Sequence, residues 1–224
     1  MTNPTYFQII LPHLDWLRKQ RDTVTEKSER RGVNAGIILF SAIFLEGLLE
    51  DILCSFIWHY SDVSEVAKSK GLVDIESISS LEGYYRTFES LGVSVHSFLI
   101  QKQQEDLATI FSFSNLLAHG QRDSYLVLTE EDWTPKKVVG SFYSDLEKFF
   151  VKRKVLSKSQ SPQPNMDFRL FSDPVADWIY EATMDLSLVI MKQLQFQLQT
   201  QSFIQINHLR RIDELFKARQ NSKS

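Results

Sequence analysis

From Val33 to His59 the chain runs without a proline and with glycine only at positions 36 and 47. Ile37, Phe40, Phe44, Leu48, Ile52 and Phe56 recur every three or four residues. Ile38, Leu45, Leu49 and Leu53 widen that stripe beyond a single face. This spacing is helical. A helix apolar nearly all round is central in its domain, or serves both its own core and a partner. The run from Ala35 to Ile57 raises the question of a membrane span, but Glu46, Glu50 and Asp51 sit within it, where a bilayer would penalise them. A buried helix is expected, in a soluble cytoplasmic protein with no membrane association.

The rest of the composition agrees with a helical protein. With 8 Gly and 6 Pro in 224 residues, long segments run without a breaker. The 16 Phe, 7 Tyr and 4 Trp supply a large core. The formal charge of -3 excludes a globally basic nucleic-acid surface, so any such surface must be local. A single cysteine, Cys54, excludes an intrachain disulfide framework and reads as a small buried hydrophobe. The N-terminus lacks the basic region and small-residue cleavage site of a secretory signal.

The remaining elements follow in order. A first helix is expected from about Tyr6, capped by Asn3 or Thr5, with Pro12 bending it or marking its true start. Arg18 to Arg31 reads as a solvated face or a loop, and acids interrupt any basic patch there. A helical turn is expected within Ser61–Gly71, and a short helix over Ser79–Leu91 with Gly92 closing it. His96 falls in a loop. The next helix spans about Ile100 to His119, with Leu107, Ile110, Phe111 and Leu117 inward and Phe113 nearby. Ser124–Thr129 is the best strand candidate, forming a small hairpin with Lys137–Val139. Helices are expected over Ser141–Val155 and Val175–Leu198, with a polar loop at Ser157–Asn165. Ser172 or Asp173 caps the latter helix and Pro174 enters its first turn. Ser202–Arg219 reads as a last amphipathic helix, locally basic through Arg210, Arg211, Lys217 and Arg219, before a disordered tail. The expected architecture is an all-α bundle of five to seven helices with room for one small hairpin. Residues 1–198 form the domain, and 199–224 a C-terminal helix and tail.

Chemistry concentrates in one place. Leu107–Gly120 (LATIFSFSNLLAHG) is a short apolar helix that carries Asn115 and His119 four residues apart, on one face, and ends at Gly120. A histidine near a helix end commonly satisfies the last carbonyls, which is the plainer reading of His119. Glu46 and Glu50, spaced i, i+4, invite a metal or acid–base role, but an exposed strip is the plainer reading. The chain has no P-loop, no GxGxxG, no zinc-ligand spacing and no GxSxG, so no metal or cofactor is expected.

Ser114-Asn-Leu-Leu-Ala-His119-Gly120 resembles the motif of the HEPN superfamily, all-α domains of prokaryotic toxins, antiphage proteins and RNA-processing enzymes. The family form is an arginine, often followed by a polar residue, then a histidine after four to six intervening residues at a helix end. Asn115, His119 and Gly120 match. The long early helix with FLEGLLEDIL and its Glu46, and the late SDPVADWIYEATMDL with its Ala-x-Trp pattern, resemble the family's flanking helices. The resemblance covers roughly residues 5–197. It implies a homodimer with a composite interface site and metal-independent RNA cleavage leaving a 2′,3′-cyclic phosphate. A cognate antitoxin or defence-system partner is implied with it.

The departure is at Ser114, which occupies the arginine position; the other permitted spacings give Phe113 and Ser112. Histidine exchanges a proton near neutral pH, and arginine offers a cationic fork to a phosphate gaining charge. Position 114 lies about 140° round the helix from His119, so only a long side chain could curl to the same phosphate. Three explanations stay open: a degenerate, non-cleaving member; an inactivating substitution; or replacement by another arginine, Arg122 being nearest in sequence. Arg122 and Glu46 complete the candidate substrate-binding set.

Overall fold

The computed structural model describes residues 6–59, 80–90, 94–119, 125–128, 135–139, 142–158 and 169–200. Among them the fold is all-α. In chain order the helices are α1 (Tyr6–Thr23), α2 (Lys27–His59), α3 (Leu81–Ser90), the single turn α4 (Val95–Phe98), α5 (Gln101–His119), α6 (Phe142–Lys152) and α7 (Asp173–Thr200). A hairpin of β1 (Tyr125–Leu128) and β2 (Pro135–Val139) follows α5. Its strands pair antiparallel, Tyr125 opposite Val139 and Val127 opposite Lys137, with an irregularity after Val127 where Pro135 removes a ladder donor. The helical turn, polar loop and C-terminal helix expected at 61–71, 157–165 and 202–219 lie wholly or mostly outside the described residues.

Two compact units divide the chain. One comprises 1–11, 43–107 and 183–224, the other 12–42 and 108–182. In the first, Phe44, Leu45, Leu48 and Leu49 of α2, Tyr84 and Phe88 of α3 and Ile190 of α7 are core residues. Local signals set its helix starts. Ser80 precedes α3, and its Oγ accepts the Gly83 N–H at 3.1 Å. Gln103 Oε1 accepts the Ile100 N–H at 3.1 Å at the head of α5, the reach-back half of a capping box. Burial, then the charge of Glu82, pushes the Tyr85 phenol up to about 12. His96, expected in a loop, lies instead within the one-turn α4.

In the second unit Phe113 is fully buried, its ring centroid 6.3 Å from Phe150 and 5.8 Å from Phe171. Trp178 meets Phe149 and Phe150 edge-on at 5.4 Å. Leu17 rests against Gly36, where an added Cβ would lie 3.6 Å from it. Helix α6 closes on Lys154, whose φ of 61° is left-handed. The Val155 N–H then reaches back to the Phe150 carbonyl at 2.9 Å, the bond that seals such a helix end.

Two expectations need correction. Pro12 does not mark the start of α1; it is exposed inside a helix that begins at Tyr6. Arg18–Arg31 is only in part the solvated face or loop expected: Lys19, Asp22, Thr23 and residues 25–29 are exposed and 24–26 join two helices, but the rest is not. Helix α1 continues to Thr23, α2 begins at Lys27, and Arg21 is only 6% exposed. The reason is a tertiary charge network. Arg21 Nη1 lies 2.9 Å from Asp177, and Arg18 lies 3.6 Å from both Asp177 and Glu181. The Arg18 guanidinium also covers the Tyr180 ring at 4.1 Å. Tyr180 donates its hydroxyl to Asp15 at 2.8 Å. Local sequence sees only charges, whereas the fold supplies their partners.

The stretch Lys27–Leu53 is long and apolar enough to cross a membrane. Ile37, Ile38, Leu45, Leu48, Leu49 and Leu53 on it are fully buried in this fold, as in the core helix of a globular protein.

Candidate functional site

Helix α5 ends at His119. Leu107, Ile110, Phe111, Phe113 and Leu116 are buried along it, and Leu117 is half-buried. The buried arc also includes Ser114, at 8% exposure. Its Oγ donates to the Phe111 carbonyl at 2.9 Å. Ser114, which the resemblance sets at the arginine position, is therefore a core residue whose hydroxyl is satisfied within its own helix. Asn115, the next residue, is exposed. These two neighbours thus point to different environments, as their separation of about 100° on a helix dictates. His119 stands one turn after Asn115; its side chain, Gly120 and Arg122 lie outside what the structure describes.

Glu46 belongs to the other compact unit and is half-buried, as is Glu50. The expected exposed strip is thus partly covered. Burial, then the neighbouring Glu50 charge, raises the Glu46 carboxyl above its ordinary range. Among the described residues no group of three or more His, Cys, Asp or Glu could hold a metal.

The most organised polar cluster is elsewhere in the second unit. Arg30 Nε donates to Asp173 Oδ1 at 3.1 Å and Oδ2 at 2.9 Å, and Nη2 to Oδ2 at 2.6 Å. Arg30 Nη1 donates to the carbonyls of Arg21 at 3.1 Å and Val24 at 3.2 Å, closing the α1–α2 turn. Asn34 Nδ2 donates to the Phe171 carbonyl at 2.8 Å and to Asp173 Oδ1 at 2.9 Å. The Arg30 and Asn34 bonds hold the Asp173 carboxyl below its usual range, against the opposing effect of burial. Of the two expected caps, Ser172 directly precedes α7, and Asp173, its first residue, serves as this tertiary hub. The Ser172 carbonyl begins α7 by accepting the N–H groups of Val175 and Ala176.

Around this hub is an open cleft of about 340 Å³. Lys27, Arg30, Arg31 and Asn34 from the start of α2 line it, with Ser172 and Asp173 from the start of α7. Glu26 caps α2 next to it, accepting from the Glu29 N–H at 2.7 Å and from the Ser28 hydroxyl. Those bonds hold the Glu26 carboxyl down to about 2. Sequence reasoning missed this site. One usable signal was present: Asn34 and Ser41 interrupt the apolar arc of α2 at positions in register with Ile37, Ile38 and Leu45, and a polar group in such an arc needs a tertiary partner.

The fold and these two sites define an all-α bundle protein with a polar, cation-lined cleft where two long helices begin. No protein-family model, curated protein or solved structure matches the chain.

Proposed function

We propose that the chain is a HEPN-type scaffold for RNA, of the toxin or antiphage kind, whose cleavage is weak or absent because serine stands at the motif arginine. The observation that carries the reading is the end of α5: an exposed Asn115 one turn before a terminal His119. The all-α bundle and the long flanking helices α2 and α7, the latter carrying Ala176-x-Trp178, support it. In the full reaction His119 would take the proton of a ribose 2′-hydroxyl. That oxygen would attack the adjacent phosphorus and the bond to the 5′-oxygen would break. The products are a 2′,3′-cyclic phosphate and a 5′-hydroxyl, whose oxygen would take up a proton from water as it leaves, and His119 would then return its proton to solvent. Absence of the cationic fork leaves the developing phosphate charge unmatched, a loss of about 10²–10³ in rate. The protein acts as a cytoplasmic homodimer with a composite site, alongside an antitoxin or defence-system partner, and needs no metal or cofactor.

A second reading is a non-catalytic HEPN-like module that binds RNA or a protein. The burial of Ser114 favours it, because an arginine there would have to leave the core to reach a phosphate. One experiment separates the two. Native chain, Ser114→Arg and Ser114→Arg/His119→Ala are incubated with several RNAs in a chelator, with thermal melts as folding controls. His119-dependent cyclic-phosphate product from Ser114→Arg supports the nuclease scaffold. A folded but inert Ser114→Arg, with RNA binding retained in native chain and in His119→Ala, establishes the binding module instead. A strictly monomeric native chain in light scattering rejects the composite site.

A further inference from the structure

The first compact unit is short of positive charge. Its described residues hold eight Asp and Glu, among them Glu46, Glu50 and Asp51 of α2, against Arg86, Lys102 and Lys192. Ile43, Glu46 and Glu50 stand at i, i+3 and i+7 on α2, so they share one face, and all three are half-buried. Burial and the Glu50 charge act on Glu46 with no cation to counter them. Leu188 and Val189 of α7 are half-buried in the same unit. Half-covered apolar side chains beside uncompensated acids suit a basic amphipathic helix.

The chain itself supplies such a segment. Beyond Thr200, the last residue of α7, 24 residues follow. Residues 201–224 hold five Lys and Arg against Asp213 and Glu214, a net +3, which leaves −6 on residues 1–200. No other stretch outside the described residues is net positive: 60–79 carries −2 and 129–134 carries −3. Ile206, Leu209, Ile212 and Phe216 recur at helical spacing, and Arg210 falls at the edge of that stripe, about 100° from Leu209. The lengths agree. Helix α2 runs about 25 Å through this unit, from Ile43 to its end at His59, and Ser202–Arg219 as a helix measures about 27 Å. Helix α7 enters the same unit at Thr183 and ends in it at Thr200. A helix turned back from there reaches Arg210 after about 15 Å, and Glu50 lies about 14 Å before the end of α2.

From these features we infer that the chain's own C-terminal segment, Ser202–Arg219, docks along the Ile43–Glu50 face of α2. Ile212 and Phe216 cover Ile43, Arg210 pairs with Glu50, and the body of the segment shields Glu46 from water. The docked segment offsets the acidic charge of the unit and gives α2 a partner on the side that is otherwise half-open. Asn115 and His119 belong to the other unit, and the surface stands whether or not the chain handles RNA.

The test is amide hydrogen exchange of the full chain, followed by mass spectrometry over residues 202–219. An isolated helix of this length is marginal in water, so slow exchange there reports docking. The variants are Glu50→Arg, Arg210→Glu and the two combined, with Leu209→Asp/Ile212→Asp as a change confined to the segment and melting curves for all. Glu50→Gln serves where Glu50→Arg does not fold. The expected result is slow exchange in the native chain that becomes at least tenfold faster in Leu209→Asp/Ile212→Asp. Each charge variant should exchange about threefold faster, with recovery when the two are combined. Native protection should hold on hundredfold dilution. Protection that disappears on dilution assigns the segment to a second copy and overturns docking within the chain. Protection unchanged in both folded charge variants overturns the α2 surface. Exchange as fast as in an unstructured peptide throughout 202–219 of the native chain overturns the docking altogether.

Discussion

Arg30 and Asp173, 143 residues apart in sequence, are joined through both carboxylate oxygens, with the shortest contact at 2.6 Å. The same guanidinium closes the turn between α1 and α2. One side chain thus fixes the entry of α2 and the first residue of α7. The cleft lined by Lys27, Arg31 and Asn34 is built on that floor.

Arg30→Met or Asp173→Asn alone should lower stability clearly, because each leaves the other partner without its match. The double variant should lose less than the sum of the singles, as a double-mutant cycle in urea would show. Arg86→Ala, which breaks the exposed i, i+4 pair with Glu82, should change stability by no more than about 0.5 kcal/mol. The pair also has a pH signature. The Asp173 carboxyl is lowered in the fold, so its contribution is present above the unfolded value of about 3.9 and is lost as pH falls through the folded value. In Arg30→Met that acid-side loss should shrink.

Phe113→Ala should cost about 3–5 kcal/mol, because the ring is fully buried between Phe150 and Phe171 and the cavity cannot collapse without moving both. Chemical denaturation with an unchanged m-value would confirm it. A loss below about 1 kcal/mol would contradict the packing described.

Lys154→Gly should raise stability by about 1 kcal/mol. The native φ of 61° strains a side chain with a Cβ, and glycine removes that strain while keeping the Val155–Phe150 closing bond. Thermal melts of the two chains at one pH decide it.

Glu46→Gln should stabilise the chain near neutral pH by less than about 1 kcal/mol, since partial exposure keeps the effect small. The sign follows from the raised carboxyl. An acid raised in the fold contributes fully below its unfolded value, about 4.3, and loses that contribution as pH rises through the folded value. The difference between the variant and native chain should therefore vanish in acid. A gain that persists unchanged at low pH would assign it to something other than this titration.

The helical class, the central position of α2, the hairpin after α5 and the end of α5 near His119 were all legible in the sequence. Each follows from local rules: apolar spacing, breakers and turn residues act over one or two turns and need no distant partner. The placing of Ile37, Phe44, Leu48 and Ile110 in cores comes from the same periodicity. What the tertiary structure alone decided concerns polar groups. Whether Arg21, Arg30 and Asn34 are solvated or buried depends on Asp173 and Asp177, more than a hundred residues later in the chain. Whether position 114 faces core or cleft depends on which arc of α5 the neighbouring helices cover, and Ser114 lies on the covered arc. Apolar burial is non-directional and is written into spacing, whereas the cost of burying a charge is offset only by a specific partner, which folding alone supplies.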